Sequence, residues 1–147
     1  MSVNENIDLM RRWFHEVWNE GRIQTVYELF SPDGIAIGHY GSESQVRGPA
    51  KFAPFVAQIR RAFPDIQITI DDAFGAEDKV AVRWSARMNH TGEGFGPATG
   101  KPVRLTGISI VRIANGQLVE GWDNWDRLGM LEQIDAYKQP EILAKTA

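Results

Sequence analysis

The amino-acid sequence predicts an α+β fold in which a curved, mainly antiparallel sheet wraps around N-terminal helices to form a cone with a ligand cavity. Hydrophobic residues recur every three to four positions up to residue 62 and every second position after Asp65, which indicates helices followed by strands. Long strands that follow helices along the chain are typical of a sheet segregated from its helices. The hollow inside such a sheet is the expected place for a small-molecule site.

Length, charge and composition restrict the class of protein. A chain of 147 residues predicts a single domain, spanning 1–147. The net charge of −3 argues against a nucleic-acid partner, because such proteins usually carry a basic excess. The absence of cysteine excludes disulfides and thiolate metal sites. The first residues are polar and no apolar run is long enough to span a membrane, so we predict a cytoplasmic protein without a membrane partner.

Three helices are predicted before the sheet. The first runs to about Glu20, and Gly21 ends it. A short second helix covers about residues 23–30. The third helix is predicted to begin at Pro49. The N–H groups of a first helical turn have no partner within the helix, so the missing N–H of proline costs nothing there. Their apolar faces are expected to form the centre of the cone.

The strands are predicted from alternation of apolar and polar residues. A short strand covers 35–40, the longer ones cover about 66–71, 80–90, 103–110 and 117–126, and a short helix follows at 128–134. The glycine-rich stretch 91–100 is expected to form a loop, and we consider it as a lid over the mouth of the cone. Asn-Gly at 115–116 predicts a hairpin turn between the last two strands.

A bulge is predicted in the strand at 103–110, because its apolar residues change parity. Val103 and Leu105 lie on one face of the strand, whereas Ile108 and Ile110 lie on the other. One extra residue near positions 106–107 would bring both pairs to the same side. Such a bulge would also curve the sheet.

Several short motifs occur in a fixed order along the chain: WNEG at 18–21, FPD at 63–65, DKVAVR at 78–83, HTGEGFG at 90–96 and GQLVEGW at 116–122. Together they resemble the SnoaL-like polyketide cyclases of the nuclear-transport-factor-like superfamily, over a core of about 8–134. The resemblance implies the cone fold, a homodimer formed through the sheets, and cyclase, lyase or isomerase chemistry without a cofactor. The implied substrate is a hydrophobic, polyketide-like carbonyl compound.

Asp123 is the first candidate for catalysis. It alternates with Trp125 on the predicted last strand, so its carboxylate is expected to face the hollow. Partial removal from water favours the neutral form of a carboxylate, which suits proton transfer. The resemblance implies that an aspartate here removes a proton alpha to a carbonyl and promotes aldol ring closure. The alternatives for Asp123 are that it faces solvent or that it caps the helix that follows. The neighbouring Asp126 is a competing carboxylate, and it is expected to be a helix N-cap.

Two histidines are further catalytic candidates, because histidine titrates near neutral pH. His39 ends the predicted first strand, where the resemblance implies a group that orients substrate or stabilises an oxyanion. His90 ends the long strand and either lines the pocket mouth or hydrogen-bonds the glycine-rich loop. His15 is expected to be at the surface or structural.

The remaining predicted site residues form a hydrophobic pocket suited to a flat ligand. They are Phe14, Tyr40, Trp84, Met88 and Trp125. No HxH, HExxH or GxSxG spacing occurs, so the sequence predicts neither a metal site nor a serine nucleophile.

Three functional hypotheses remain open on sequence alone. The first is a cofactor-free cyclase, lyase or isomerase that uses Asp123. The second is a non-catalytic ligand-binding or dimerisation module, with an exposed or ion-paired Asp123 and a small or filled cavity. The third is an epoxide-hydrolase-like enzyme, which would need Arg83 or Arg87 inside the cone, although alternation places both on the outer face of the sheet.

Overall fold

The computed structural model describes residues 1–138 and places the helices before most of the sheet. The helices are α1 (Val3–Trp13), continued by a π-helical segment (Phe14–Asn19), α2 (Ile23–Leu29), α3 (Pro49–Ala62) and α4 (Arg127–Gln133). The strands are β1 (Phe30–Ile37), β2 (Gln45–Arg47), β3 (Gln67–Ala76), β4 (Lys79–Asn89), β5 (Pro102–Ala114) and β6 (Gln117–Trp125).

These strands form one curved, open sheet in the order β2-β1-β6-β5-β4-β3. Neighbouring strands are antiparallel except β1 and β6, which are parallel. The predicted α+β cone is therefore confirmed. Within residues 1–138, no helix is both long and apolar enough to cross a membrane.

The inner face of the sheet supplies half of the core. Alternate residues of β4 and β5 are buried along their length, and they pack against the apolar faces of α1, the π-helical segment and α3. Large aromatic side chains contribute to the contact between helices and sheet, for example Phe14 of the π-helical segment against Trp84 of β4 with ring centroids 6.3 Å apart. Burial of this apolar surface is the main force that holds the sheet around the helices.

The bulge predicted near residues 106–107 is wrong. The register between β4 and β5 is continuous, Ser109 continues the buried face of β5, and Ile108 and Ile110 point outward with 51% and 42% exposure. Gly107 has another role, because an added Cβ would lie 2.2 Å from Cζ2 of Trp84. The glycine makes room for an indole ring and does not mark an extra residue.

The outer face of the sheet carries a row of apolar side chains across neighbouring strands. The paired positions, in order across the sheet, are Ile37, Trp122, Ile110, Ala81 and Phe74. Arg83 and Arg87 lie on this outer face, as alternation predicts. The homodimer formed through the sheets stays a prediction.

The first strand begins and ends earlier than the sequence predicts. β1 starts directly at the end of α2, and it includes residues 31–34, which precede the predicted strand. It ends at Ile37, so His39 and Tyr40 belong to the following loop. This loop is closed by hydrogen bonds from the backbone N–H of Gly38 to the Ser44 carbonyl and from that of Ser44 to the Gly41 carbonyl.

Candidate active site

A cavity of about 80 Å³ lies between the helices and the inner face of the sheet. Aromatic and aliphatic side chains form most of its wall, including the predicted pocket residues Phe14, Trp84, Met88 and Trp125. The polar side chains His39, Ser109 and Asp123 are grouped at one place in this wall. The wall of the cavity is therefore mostly apolar, and these three polar side chains lie together in it.

Asp123 lies in β6, directly opposite Ser109 of β5, and its side chain is 18% exposed. Its Oδ1 accepts a hydrogen bond from the Ser109 hydroxyl, and its Oδ2 contacts Nε2 of His39. The carboxylate thus faces the inside of the cone. The alternative of a freely solvated Asp123 does not hold.

His39 reaches this carboxylate because Gly38 lies against the backbone of β6. Gly38 has a φ of +100°, and an added Cβ would be 2.1 Å from the carbonyl oxygen of Asp123. Only glycine combines this conformation with such a close approach. The indole N–H of Trp125 donates to the His39 carbonyl at 3.2 Å, which fixes the backbone beside the site.

The imidazole ring of His39 is held edge-on between two phenylalanines of α3. Its centroid is 4.9 Å from that of Phe52 and 5.0 Å from that of Phe55. When the carboxylate of Asp123 is ionised it only accepts hydrogen bonds, and Nε2 is then the donor in this contact. Nδ1 of the same ring is buried and has no hydrogen-bond partner among residues 1–138.

The arrangement of the site can support proton transfer at a carboxylate. Each oxygen of Asp123 faces a protein donor, and such charge-assisted hydrogen bonds are roughly twice as strong as neutral ones. They hold the carboxylate in one orientation next to an apolar space. A carbon acid bound in that space would meet a base that needs little reorganisation.

His90 is not part of this cluster, so its prediction as a catalytic residue is corrected. The ring is fully buried, but its Nε2 bonds the Gly94 carbonyl at 2.7 Å and its Nδ1 accepts from the Thr99 backbone N–H at 3.3 Å. It does not line the cavity. His90 therefore anchors the glycine-rich loop, which was the alternative that the sequence left open.

That loop is not a lid over the cavity either. The backbone N–H of Gly92 donates to the Ala62 carbonyl, and an added Cβ at Gly92 would lie 1.8 Å from the Arg61 carbonyl oxygen. The loop therefore packs against the end of α3. None of its residues lines the cavity.

Tyr40 lies at the surface beside the site and does not line the cavity, which corrects its prediction as a pocket residue. The side chain is 41% exposed and packs on Phe55 with ring centroids 5.0 Å apart. Partial burial raises the pKa of the Tyr40 phenol above its ordinary value. Arg127 fixes the loop by donating to the Tyr40 carbonyl.

The positions of Asp126 and Arg83 decide two further alternatives that the sequence left open. Asp126 is the N-cap of α4, because its Oδ1 accepts from the Gly129 N–H at 2.9 Å. Arg83 contacts Asp71 on the outside of the sheet at 3.8 Å and cannot join Asp123 in an epoxide-hydrolase arrangement. In the described part of the chain, no group of three or more His, Asp or Glu side chains is placed to hold a metal ion.

Sequence reasoning missed the contributions of Ser109, Gly38 and Gly107. Ser109 shares the parity of Val103 and Leu105, so the uninterrupted pattern already placed it inside the cone. The assumed bulge moved it to the wrong face. No sequence signal specific to Gly38 indicates that its backbone touches β6.

We expect replacement of His90 by alanine to lower stability while largely preserving the chemistry. The variant loses the hydrogen bonds of the buried ring to Gly94 and Thr99 and leaves a void, which together cost about 2–4 kcal/mol. Urea unfolding measures the loss, and His15→Ala is the control because its side chain is 68% exposed. A large drop in turnover with unchanged stability would restore His90 as a catalytic candidate.

Comparison with known proteins agrees with the fold. The family model described as SnoaL-like polyketide cyclase matches residues 8–134. The chain is 28% identical over 143 residues to the aklanonic acid methyl ester cyclase DnrD of Streptomyces peucetius, covering 95% of this chain and 97% of the relative.

Solved structures show the same architecture. IdmH of Streptomyces antibioticus, assigned as a polyketide cyclase, superposes with a TM-score of 0.77 at 28% identity, over 88% of this chain and 98% of that one. AclR of Streptomyces galilaeus, assigned as a hydroxylase, superposes with a TM-score of 0.82 at 24% identity, over 99% of this chain and 95% of that one. Because the family model matches most of its length, this chain belongs to the SnoaL-like polyketide cyclase family.

Proposed function

We propose that this chain is a cofactor-free polyketide cyclase that closes a ring by intramolecular aldol addition. Asp123 is the general acid and base, and His39 orients its carboxylate and the substrate. The observation that supports this assignment most directly is the hydrogen-bonded Asp123 carboxylate in the wall of a mostly apolar cavity. The fold alone would not support this assignment, because proteins with the same fold catalyse unrelated reactions.

The proposed reaction needs one proton acceptor and one proton donor, and the same carboxylate serves as both. Asp123 takes a proton from the carbon next to a carbonyl, and the electrons of the broken C–H bond form an enolate. The enolate carbon then attacks a second carbonyl carbon of the same molecule, which makes the new C–C bond. The resulting alkoxide takes the proton back from Asp123, so the product is an isomer of the substrate.

The wall of the cavity favours a flat, hydrophobic substrate. Trp13, Phe14 and Trp84 contribute aromatic surface to it, and aromatic rings pack well against planar ligands. The relative DnrD is named for aklanonic acid methyl ester, so this compound is the first substrate to test.

We expect purified protein to convert aklanonic acid methyl ester into a product of the same mass and different chromatographic retention. In D₂O, the substrate recovered before completion should also gain deuterium, because the base exchanges its proton with solvent. Liquid chromatography with mass spectrometry measures both results, and protein-free buffer is the control. Absence of product and of enzyme-dependent exchange would contradict a cyclase acting on this class of ester.

A ligand-binding module is the second candidate function. The contact of His39 with Asp123 and the small cavity are the two features that this alternative predicts. Quenching of tryptophan fluorescence by the ester, without product or deuterium exchange, would support the module.

A further inference from the structure

Ser109 lies at the centre of a hydrogen-bonded chain behind Asp123. It is 4% exposed, and its hydroxyl accepts from the indole N–H of Trp84 at 3.1 Å. An indole N–H only donates, so the hydroxyl cannot direct its own proton to Trp84. That proton points to Oδ1 of Asp123, the acceptor on the other side. The orientation of the Ser109 hydroxyl is therefore determined by its two partners.

The geometry of this chain depends on the absence of a side chain at position 107. Gly107 lies opposite Trp84 in the pairing of β4 with β5. An added Cβ there would be 2.2 Å from Cζ2 and 2.6 Å from Cε2 of the indole. The ring thus crosses β5 at Gly107, and its N–H reaches Ser109, which lies two positions further along the same face.

The two oxygens of Asp123 have different surroundings as a result. Oδ1 accepts from Ser109, whose hydroxyl is itself held by Trp84. Oδ2 contacts His39, which belongs to a loop and not to the sheet. One oxygen is therefore fixed by two paired strands, whereas the other lies beside a titratable ring.

We propose that Ser109 is a positioning residue for the reaction: supported by Trp84, it holds Oδ1 of Asp123 and leaves Oδ2, beside His39, to take and return the substrate proton. The proposal rests on the proposed function. Ser109 acts through Asp123 and has no contact with substrate in this scheme. Its hydroxyl stabilises the charged carboxylate and keeps its plane in the orientation that proton transfer needs.

Replacement of Ser109 by alanine should lower kcat about 10- to 100-fold, the rate equivalent of one lost hydrogen bond to a charged group. KM should change less than about threefold, because no contact with substrate is lost. Ser109→Thr keeps the hydroxyl and should recover most of the activity. Ser85→Ala is the matched control, because Ser85 lies on the outer face of β4, and it should leave kcat unchanged.

A double-mutant cycle tests whether Trp84 acts through Ser109. Trp84→Phe keeps an aromatic ring but removes the N–H, so it should lower kcat by less than Ser109→Ala does. In the Ser109→Ala background the same change should lower kcat by a smaller factor than it does in the unmodified protein. If the double variant loses as much kcat as the two single variants combined, Trp84 does not act through Ser109. An unchanged kcat in Ser109→Ala would overturn the positioning role of Ser109.

A measurement that does not need turnover separates this proposal from the proposed function. The indole N–H resonance of Trp84 can be identified in ¹⁵N-labelled protein by its absence in Trp84→Phe. Its exchange with D₂O should become at least about tenfold faster in Ser109→Ala and remain unchanged in Ser85→Ala. Unchanged exchange in Ser109→Ala would overturn the chain, whether or not the protein is a cyclase. Faster exchange without turnover of any ester by the unmodified protein would overturn the proposed function, and with it the catalytic purpose of Ser109.

Discussion

Replacement of Asp123 by asparagine is expected to lower kcat about 1,000-fold, within the range that general acid–base catalysis contributes. The amide has nearly the shape of the carboxylate but cannot accept a proton from a carbon acid. It also cannot accept from both neighbours, because one of its two positions becomes an NH₂ donor facing either Ser109 or His39. Initial rates of ester cyclisation measure the effect.

Asp126→Asn is the matched control for this experiment. It is the same chemical change three positions along the chain, at the N-cap of α4. Asparagine caps helices about as well as aspartate, so turnover and stability should both remain close to those of the unmodified protein. An Asp123→Asn variant that is folded and retains more than about a tenth of the turnover would exclude Asp123 as the base.

Replacement of Gly38 by alanine is expected to damage both stability and turnover. The added Cβ would lie 2.1 Å from the Asp123 carbonyl oxygen, at a φ of +100° that side chains rarely adopt. We expect a loss of about 3 kcal/mol or more in the free energy of unfolding, because a clash with backbone adds to conformational strain. The shift of the loop should separate His39 from Asp123 and lower kcat about 100-fold, as a displacement of about 1 Å can do.

Gly41→Ala separates strain from contact in the same loop. Gly41 also has a positive φ, of +147°, but an added Cβ there meets no atom within 4 Å. The variant should therefore carry the cost of the backbone conformation alone, and the distance from His39 to Asp123 should not change. Equal losses in kcat for Gly38→Ala and Gly41→Ala would show that the close approach to β6 does not position His39.

Patterns that depend only on local alternation were predictable. The change of hydrophobic period after Asp65 predicted the order of helices and strands, because each buried face must repeat with the period of its element. The same alternation predicted that Asp123 and Trp125 face inward, and both line the cavity. Asp126 is the predicted N-cap of α4, and this was also predictable because a helix cap depends only on neighbouring residues along the chain.

The predicted bulge was wrong because it assumed that every apolar residue of the strand faces the core. The alternation of residues along one strand does not show why isoleucines lie on its outer face. Ile108 and Ile110 both lie on the outside of the sheet, Ile110 in the apolar row there, and Gly107 is small because Trp84 lies over it. Both explanations depend on neighbouring strands. A sequence pattern within one strand cannot distinguish them from an extra residue.

The amino-acid sequence by itself therefore determined the cone, the family and the inward-facing carboxylate of Asp123, since these follow from periodicity and ordered motifs within continuous segments. Only the tertiary structure decided which histidine lies beside that carboxylate. Gly38 brings His39 against β6, whereas the last turn of α3 holds the loop that His90 anchors. Hydrogen bonds and steric contacts between distant segments fix such placements, and they leave no periodic signal in the chain.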